Sequence, residues 1–258
     1  MCVFIDLTAL PALPLTCGCF QSARVHMESS STSAEPALPP KPSIPYSWKE
    51  FHPTACVTYV RDHRQADDLL QRLNKGPYGF DLEWKPTFTK GQPQNRVALI
   101  QIANDQAILL LQVSAMQRKP TWQTSPKPWL INQTEFPSKL YDWLLDPTTI
   151  KVGVGIQGQM AVHLCCMHLL TLATDDATKL YKDWNADLKN CVDLTLLART
   201  VDNKQWKGRY TRPLGLARLV ATYVYRDLVK GKITRSNWEC KLTKPQKTCW
   251  YLSCFAAA

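Results

Sequence analysis

Residues 80–84 read Phe80-Asp81-Leu82-Glu83-Trp84. Apolar and acidic residues alternate here with a period of two, the signature of a β-strand with one face in a core. In a strand, residues i and i+2 share a face, so Asp81 and Glu83 project side by side. Two adjacent carboxylates repel unless a cation lies between them, and oxygen-only ligands suit Mg²⁺ or Mn²⁺. The plain alternative is a solvent-facing strand with two acids of no chemical role.

Outward from this strand, Ala66–Leu73 has helical spacing with Leu69, Leu70 and Leu73 on one side, and Gly76-Pro77 ends it. Arg96–Ala103 and Gln106–Val113 read as two apolar strands joined by a tight turn at Asn104-Asp105, hence an antiparallel hairpin. Phe136–Leu145 reads as an amphipathic helix and Ile150–Ile156 as a short buried strand. Cys191–Leu197 reads as a strand or a strand-to-helix turn, with Asp193 as a structural acid capping the next helix. Leu214–Tyr225 reads as a helix. Strands first, then alternating helix and strand, predict a mixed α/β sheet covered by helices.

The chain has 258 residues with ordinary apolar (45%) and charged (20%) fractions, which excludes a wholly disordered, collagenous or coiled-coil chain. No apolar run is long enough to span a membrane as a helix, so no membrane partner is expected. The net charge of +10 is one-sided. Residues 1–198 hold 18 basic and 18 acidic side chains, whereas residues 199–258 hold 13 and 3. Such a block points to a polyanion, with nucleic acid first. Lys204, Lys207, Arg209, Arg212 and Arg235 are its candidate phosphate contacts, with Trp206 and Tyr210 interleaved to stack a base. The ten scattered cysteines form no CxxC pair and read as reduced thiols of an intracellular protein. Residues 1–45 read as a disordered tail, Ser/Pro/Ala-rich over 28–45, with Met27 an alternative start and residues 46–258 as the folded domain. Met1–Cys19 is a poor secretory or transit signal.

FDLEW, RVALIQIA, AILLLQV, EFPSKL, KVGVGIQG, DATKL, VDL, RPLGLARLV and SNWE follow one another in this order. Together, over roughly residues 46–246, they resemble a DEDD-type 3′–5′ exonuclease domain. The nearest group is the Werner syndrome exonuclease-like branch of the RNase D superfamily, with an RNase H-like fold. The resemblance implies a five-stranded mixed sheet flanked by helices. It implies two Mg²⁺ or Mn²⁺ ions held by four acids, and a hydroxide that attacks the last phosphodiester of a DNA or RNA 3′ end. By motif, Asp81, Glu83 and Asp176 are the catalytic metal ligands, with Glu83 also near the terminal 3′-OH or attacking water. The protein is expected to be intracellular, nuclear rather than cytoplasmic, with DNA repair as its setting, and the sequence identifies no helicase partner.

Three departures stand out. Removing residues 159–175 restores GVGIQG-DATKL, and removing residues 118–134 restores QVSAMQ-EFPSKL. Each segment is seventeen residues long, and both are expected to be insertions, read as retained introns translated in frame, with genuine family-specific loops as the alternative. The first contains His163, Cys165, Cys166 and His168, whose spacing matches no usual zinc loop. The last family motif is a tyrosine followed four residues later by an aspartate. Counting from Gln246 places Cys249 and Ser253 there; alternatively Phe255-Ala256-Ala257-Ala258 resembles the start of the motif, one residue short of its acid, and in either register no Asp or Glu follows Glu239. The chain therefore reads as a truncated or mis-spliced exonuclease with its fourth carboxylate missing. The alternative is a nucleic-acid-binding or scaffolding protein that keeps the fold without the activity.

Overall fold

A computed structural model describes residues 42–74, 76–116, 136–156, 175–206, 214–229 and 231–247. Residues 1–41 of the tail expected over 1–45, nearly all of both expected insertions, Lys207, Arg209, Tyr210, Arg212 and the positions of the last motif lie outside the described residues. The end of that expected tail is ordered instead, with Ile44 and Tyr46 exchanging backbone hydrogen bonds with Asp227 at 2.8 and 2.9 Å.

The described elements run in the order α1 (Trp48–Phe51), β1 (Cys56–Val60), α2 (His63–Leu70), β2 (Pro77–Trp84), β3 (Val97–Ala103), β4 (Ala107–Leu111), α3 (Ser138–Leu145), β5 (Ile150–Gly153), α4 (Asp176–Trp184), β6 (Cys191–Asp193), α5 (Leu194–Val201) and α6 (Leu216–Leu219). The strands form one mixed sheet in the order β1-β4-β3-β2-β5-β6. β2–β3 and β3–β4 are antiparallel, and β1–β4, β2–β5 and β5–β6 are parallel. Helices flank the sheet, as the reading of 80–84 requires.

There are six strands where five were expected. The added one, β1, is an outer strand beside β4, and its only fully buried residue is Val60. The β3–β4 hairpin closes at Asn104, whose Oδ1 accepts from the N–H groups of Gln106 and Ala107 at 3.0 and 2.8 Å. Such Asx turns fix a tight reversal without glycine. All seven residues of β3 are buried, so it lies at the heart of the molecule.

Two apolar layers sandwich the sheet. On one face Phe80, Leu82, Ile100 and Ile102 pack with Leu70 of α2 and Leu140, Trp143 and Leu144 of α3. On the other, Leu99, Ile108 and Leu110 pack with Leu216, Val220, Trp238 and Leu242. Trp238 of the SNW segment is fully buried, a packing role. Gln246 ties that segment to the one after it: its amide donates to Ser236 Oγ at 2.9 Å, and its Oε1 accepts from Thr243 N–H at 2.8 Å. The helix expected over Leu214–Tyr225 is α only to Leu219. It continues as a π-helical turn over Val220–Val224 and ends at Tyr225 in the left-handed conformation.

Candidate active site

Phe80 and Leu82 are buried in the first layer, so Asp81 and Glu83, both half-buried, point away from it. Asp81 Oδ1 accepts from Leu82 N–H at 3.0 Å. The ladder between β2 and β3 shifts register between Glu83 and Trp84, a bulge that re-aims the chain at the end of the acidic stretch.

β5 lies parallel to β2 with Val152 opposite Gly79. One residue on, Gly153 has room for no side chain. A Cβ there would lie 2.8 Å from the carbonyl oxygen of Phe80, the residue before Asp81. The strand ends in a turn at Gly155, whose φ of 73° suits glycine. Gly155 then joins the other two acidic segments. Its N–H donates to Asp193 Oδ2 at 2.8 Å, and its carbonyl accepts from Asp176 N–H at 3.2 Å. Beside it, Ile156 accepts from Ala177 N–H at 3.2 Å.

Asp175 and Asp176 divide the start of α4 between them. Asp175 is the N-cap, its carboxylate accepting from Thr178 N–H at 2.8 Å. Asp176 opens the first turn. Burial, and then the charges of Asp81, Asp175 and Asp193, hold its carboxyl well above the usual carboxylate range. Asp193 is the N-cap of α5, accepting from the N–H groups of Thr195 and Leu196. Its charge nonetheless reaches Asp176, a contribution that the VDL segment signalled only as a cap.

Of the three predicted ligands, Asp81 and Asp176 are therefore electrostatic neighbours, and Glu83 lies on the same strand one side chain further along. Among the described residues, no three His, Cys, Asp or Glu side chains are grouped so as to hold a metal ion. The donor chemistry does fit a hard divalent cation. The carboxylates around Asp176 offer oxygen alone, and their mutual repulsion is what a cation relieves. Such an ion would activate a water and stabilise charge on a phosphoryl group.

In the basic block, Lys204 and Arg235 are exposed. Trp206 is not available to stack a base. It is 4% exposed, with Nε1 donating to Tyr223 Oη at 2.6 Å and the Arg218 guanidinium 5.0 Å from its ring centroid. Arg199 is buried, and Arg226 is ion-paired with Glu50.

The sequence matches the 3′–5′ exonuclease family profile over residues 57–251. A 3′–5′ exonuclease of Arabidopsis thaliana is 29% identical over 164 residues, covering 62% of this chain and 42% of that protein. The bifunctional 3′–5′ exonuclease/ATP-dependent helicase WRN of Mus musculus is 30% identical over 186 residues, covering 70% of this chain and 10% of that protein. The chain thus spans less than half the length of either relative. In a crystal structure, the Aedes aegypti Nibbler EXO domain shares the fold, with a TM-score of 0.51 at 22% identity over 81% of this chain and 84% of that one.

Proposed function

This chain belongs to the 3′–5′ exonuclease family, and we propose that its domain engages nucleic-acid 3′ ends and hydrolyses the terminal phosphodiester with Mg²⁺ or Mn²⁺. Asp81, Glu83 and Asp176 are the residues that would hold the ions. The observation that carries the reading is the half-buried Asp81 acting on Asp176 beneath the Gly155 turn. Asp193 anchors that turn and adds negative charge. The exposed Lys204 and Arg235 would contact phosphates, together with Lys207, Arg209 and Arg212.

Assayed by themselves, residues 1–258 are expected to cut slowly. No acid follows Glu239 to complete a four-carboxylate set, and losing one group that stabilises the transition state commonly costs about 10²–10³-fold in rate. That same feature favours a second reading, in which the domain binds nucleic acid or scaffolds an assembly without cutting.

The test is a 3′-labelled single strand and a recessed duplex, each with Mg²⁺ and with Mn²⁺, beside an Asp81→Ala control. Binding with little or no shortening supports the impaired-exonuclease reading. Laddering from the 3′ end that Asp81→Ala abolishes would show that another group replaces the missing acid. Failure to bind either substrate at low salt would remove nucleic acid as the partner.

A further inference from the structure

We infer that Lys179 is a positioning residue, fixing the helix that carries Asp176 against the strand that carries Asp81 and Glu83. The inference rests on the reading of these acids as a divalent-cation site.

Lys179 lies one helical turn after Asp176 on α4 and is only 7% exposed. Its ammonium reaches three separate segments. Nζ donates to the carbonyl of Asn95 at 2.7 Å, pairs with the carboxylate of Asp183 one turn further along α4, and lies 5.3 Å from the ring centroid of Trp84. Trp84 is the residue after Glu83, on the far side of the β2 bulge. Asp183 extends the clamp by accepting from Val97 N–H, the first residue of β3, at 2.7 Å. Arg96 Nε donates to the Asp183 carbonyl at 2.6 Å, with its guanidinium 3.6 Å from the Trp184 ring centroid. Trp184 Nε1 in turn donates to the Val97 carbonyl at 3.3 Å.

α4 is thus bolted to the end of β2 and the start of β3 by directional contacts, which add a fixed register to the apolar packing of Leu180 and Trp184. Burying an ammonium is costly unless it is paired and hydrogen-bonded, and an aliphatic side chain of similar volume would fill the same space more cheaply. What an aliphatic side chain cannot supply is simultaneous bonding to Asn95 and Asp183 and a cation–π contact with Trp84. These contacts set the position of Asp176, one turn before Lys179, relative to Glu83, one residue before Trp84.

The experiment is calorimetric titration of the full chain with Mn²⁺ alone, for wild type, K179M, K179R, W84L and D81A. Melting curves identify a temperature at which all variants are folded. Removing a positive charge beside a cation site strengthens cation binding by Coulomb's law alone. A positioning role predicts the opposite sign: K179M weakens Mn²⁺ binding by about 10- to 100-fold, and K179R recovers most of the loss. W84L changes no charge and serves if K179M does not fold; it too should weaken binding. Mn²⁺ binding by a folded K179M or W84L that is as tight as wild type, or tighter, overturns the inference. Wild type binding no better than D81A overturns the cation-site reading itself, which is a separate result.

Discussion

The backbone N–H of Asp176 donates to the carbonyl of Gly155 at 3.2 Å although residues 156–175 lie between them in the chain. The neighbouring bond, Ala177 to Ile156, has the same offset. Excising seventeen residues from this interval turns both into i+4→i bonds, the spacing of an ordinary helical turn.

We therefore expect deletion of 159–175 to leave melting temperature unchanged or raised. Closing a loop of this length costs about 2–3 kcal/mol of chain entropy. Against that gain, the deletion replaces the Asp175 cap on Thr178 with Gly158, which costs about 0.3 kcal/mol. Deleting 158–174 instead keeps Asp175 and should be the more stable of the two. A fall in melting temperature for both would show that the segment belongs to the fold.

Gly153→Ala should destabilise by about 1–3 kcal/mol, because the added methyl meets the backbone carbonyl of Phe80 at 2.8 Å and backbone cannot swing aside. Gly155→Ala has open space and bears only the strain of a left-handed φ, about 1 kcal/mol. Urea unfolding of both variants checks the order, and a Gly155→Ala more damaging than Gly153→Ala would contradict it.

Lys151 is fully buried in β5 opposite Cys191, with Nζ donating to the Asp146 carbonyl at 2.7 Å. Burial pushes its pKa down to about 8 from 10.5. Below about 8 both folded and unfolded chains carry the proton; above it the folded chain releases the proton first, so stability rises with pH. Burial pushes the Cys191 thiol up to about 11 from 9.0, which makes stability fall as pH climbs above 9. The rise due to Lys151 is therefore clearest between pH 8 and 9. Denaturant unfolding across that interval should show it in wild type and lose it in Lys151→Met; an equal slope in the variant would exclude Lys151 as the cause.

Affinity for a single strand should fall steeply with salt through counterion release. Replacing Lys204 or Arg235 by Ala should reduce the logarithmic salt slope by about one each if they contact phosphate. An unchanged slope for either would place it outside the contact surface.

Legibility in the sequence followed from how local each signal is. The β3–β4 hairpin was readable because Asn104 makes its turn from its own side chain. Asp175 and Asp176 take different places at the head of α4, the first as its N-cap and the second in its first turn. β1 was missed because CVTYV buries only one residue fully and owes its strand to β4, about fifty residues away. The π-helical turn after Leu219 breaks no apolar period, so nothing in the spacing announced it. Trp206 was expected in a binding role because it sits among cations in the sequence. The Tyr223 hydroxyl that holds it indoors comes from a distant segment.

The parallel pairings among β2, β5 and β6 have a kinetic consequence. The β3–β4 hairpin can close locally, whereas the acids at 81, 176 and 193 meet only once distant segments have paired. Non-local pairing is slow, because loop entropy is lost before contacts form. Carboxylate repulsion opposes that late meeting, so acids that meet before the folding barrier act as a brake on the assembly of their own site. Millimolar Mg²⁺ should speed refolding in stopped-flow experiments if the acids meet before the barrier; a rate indifferent to the ion would place their meeting after it.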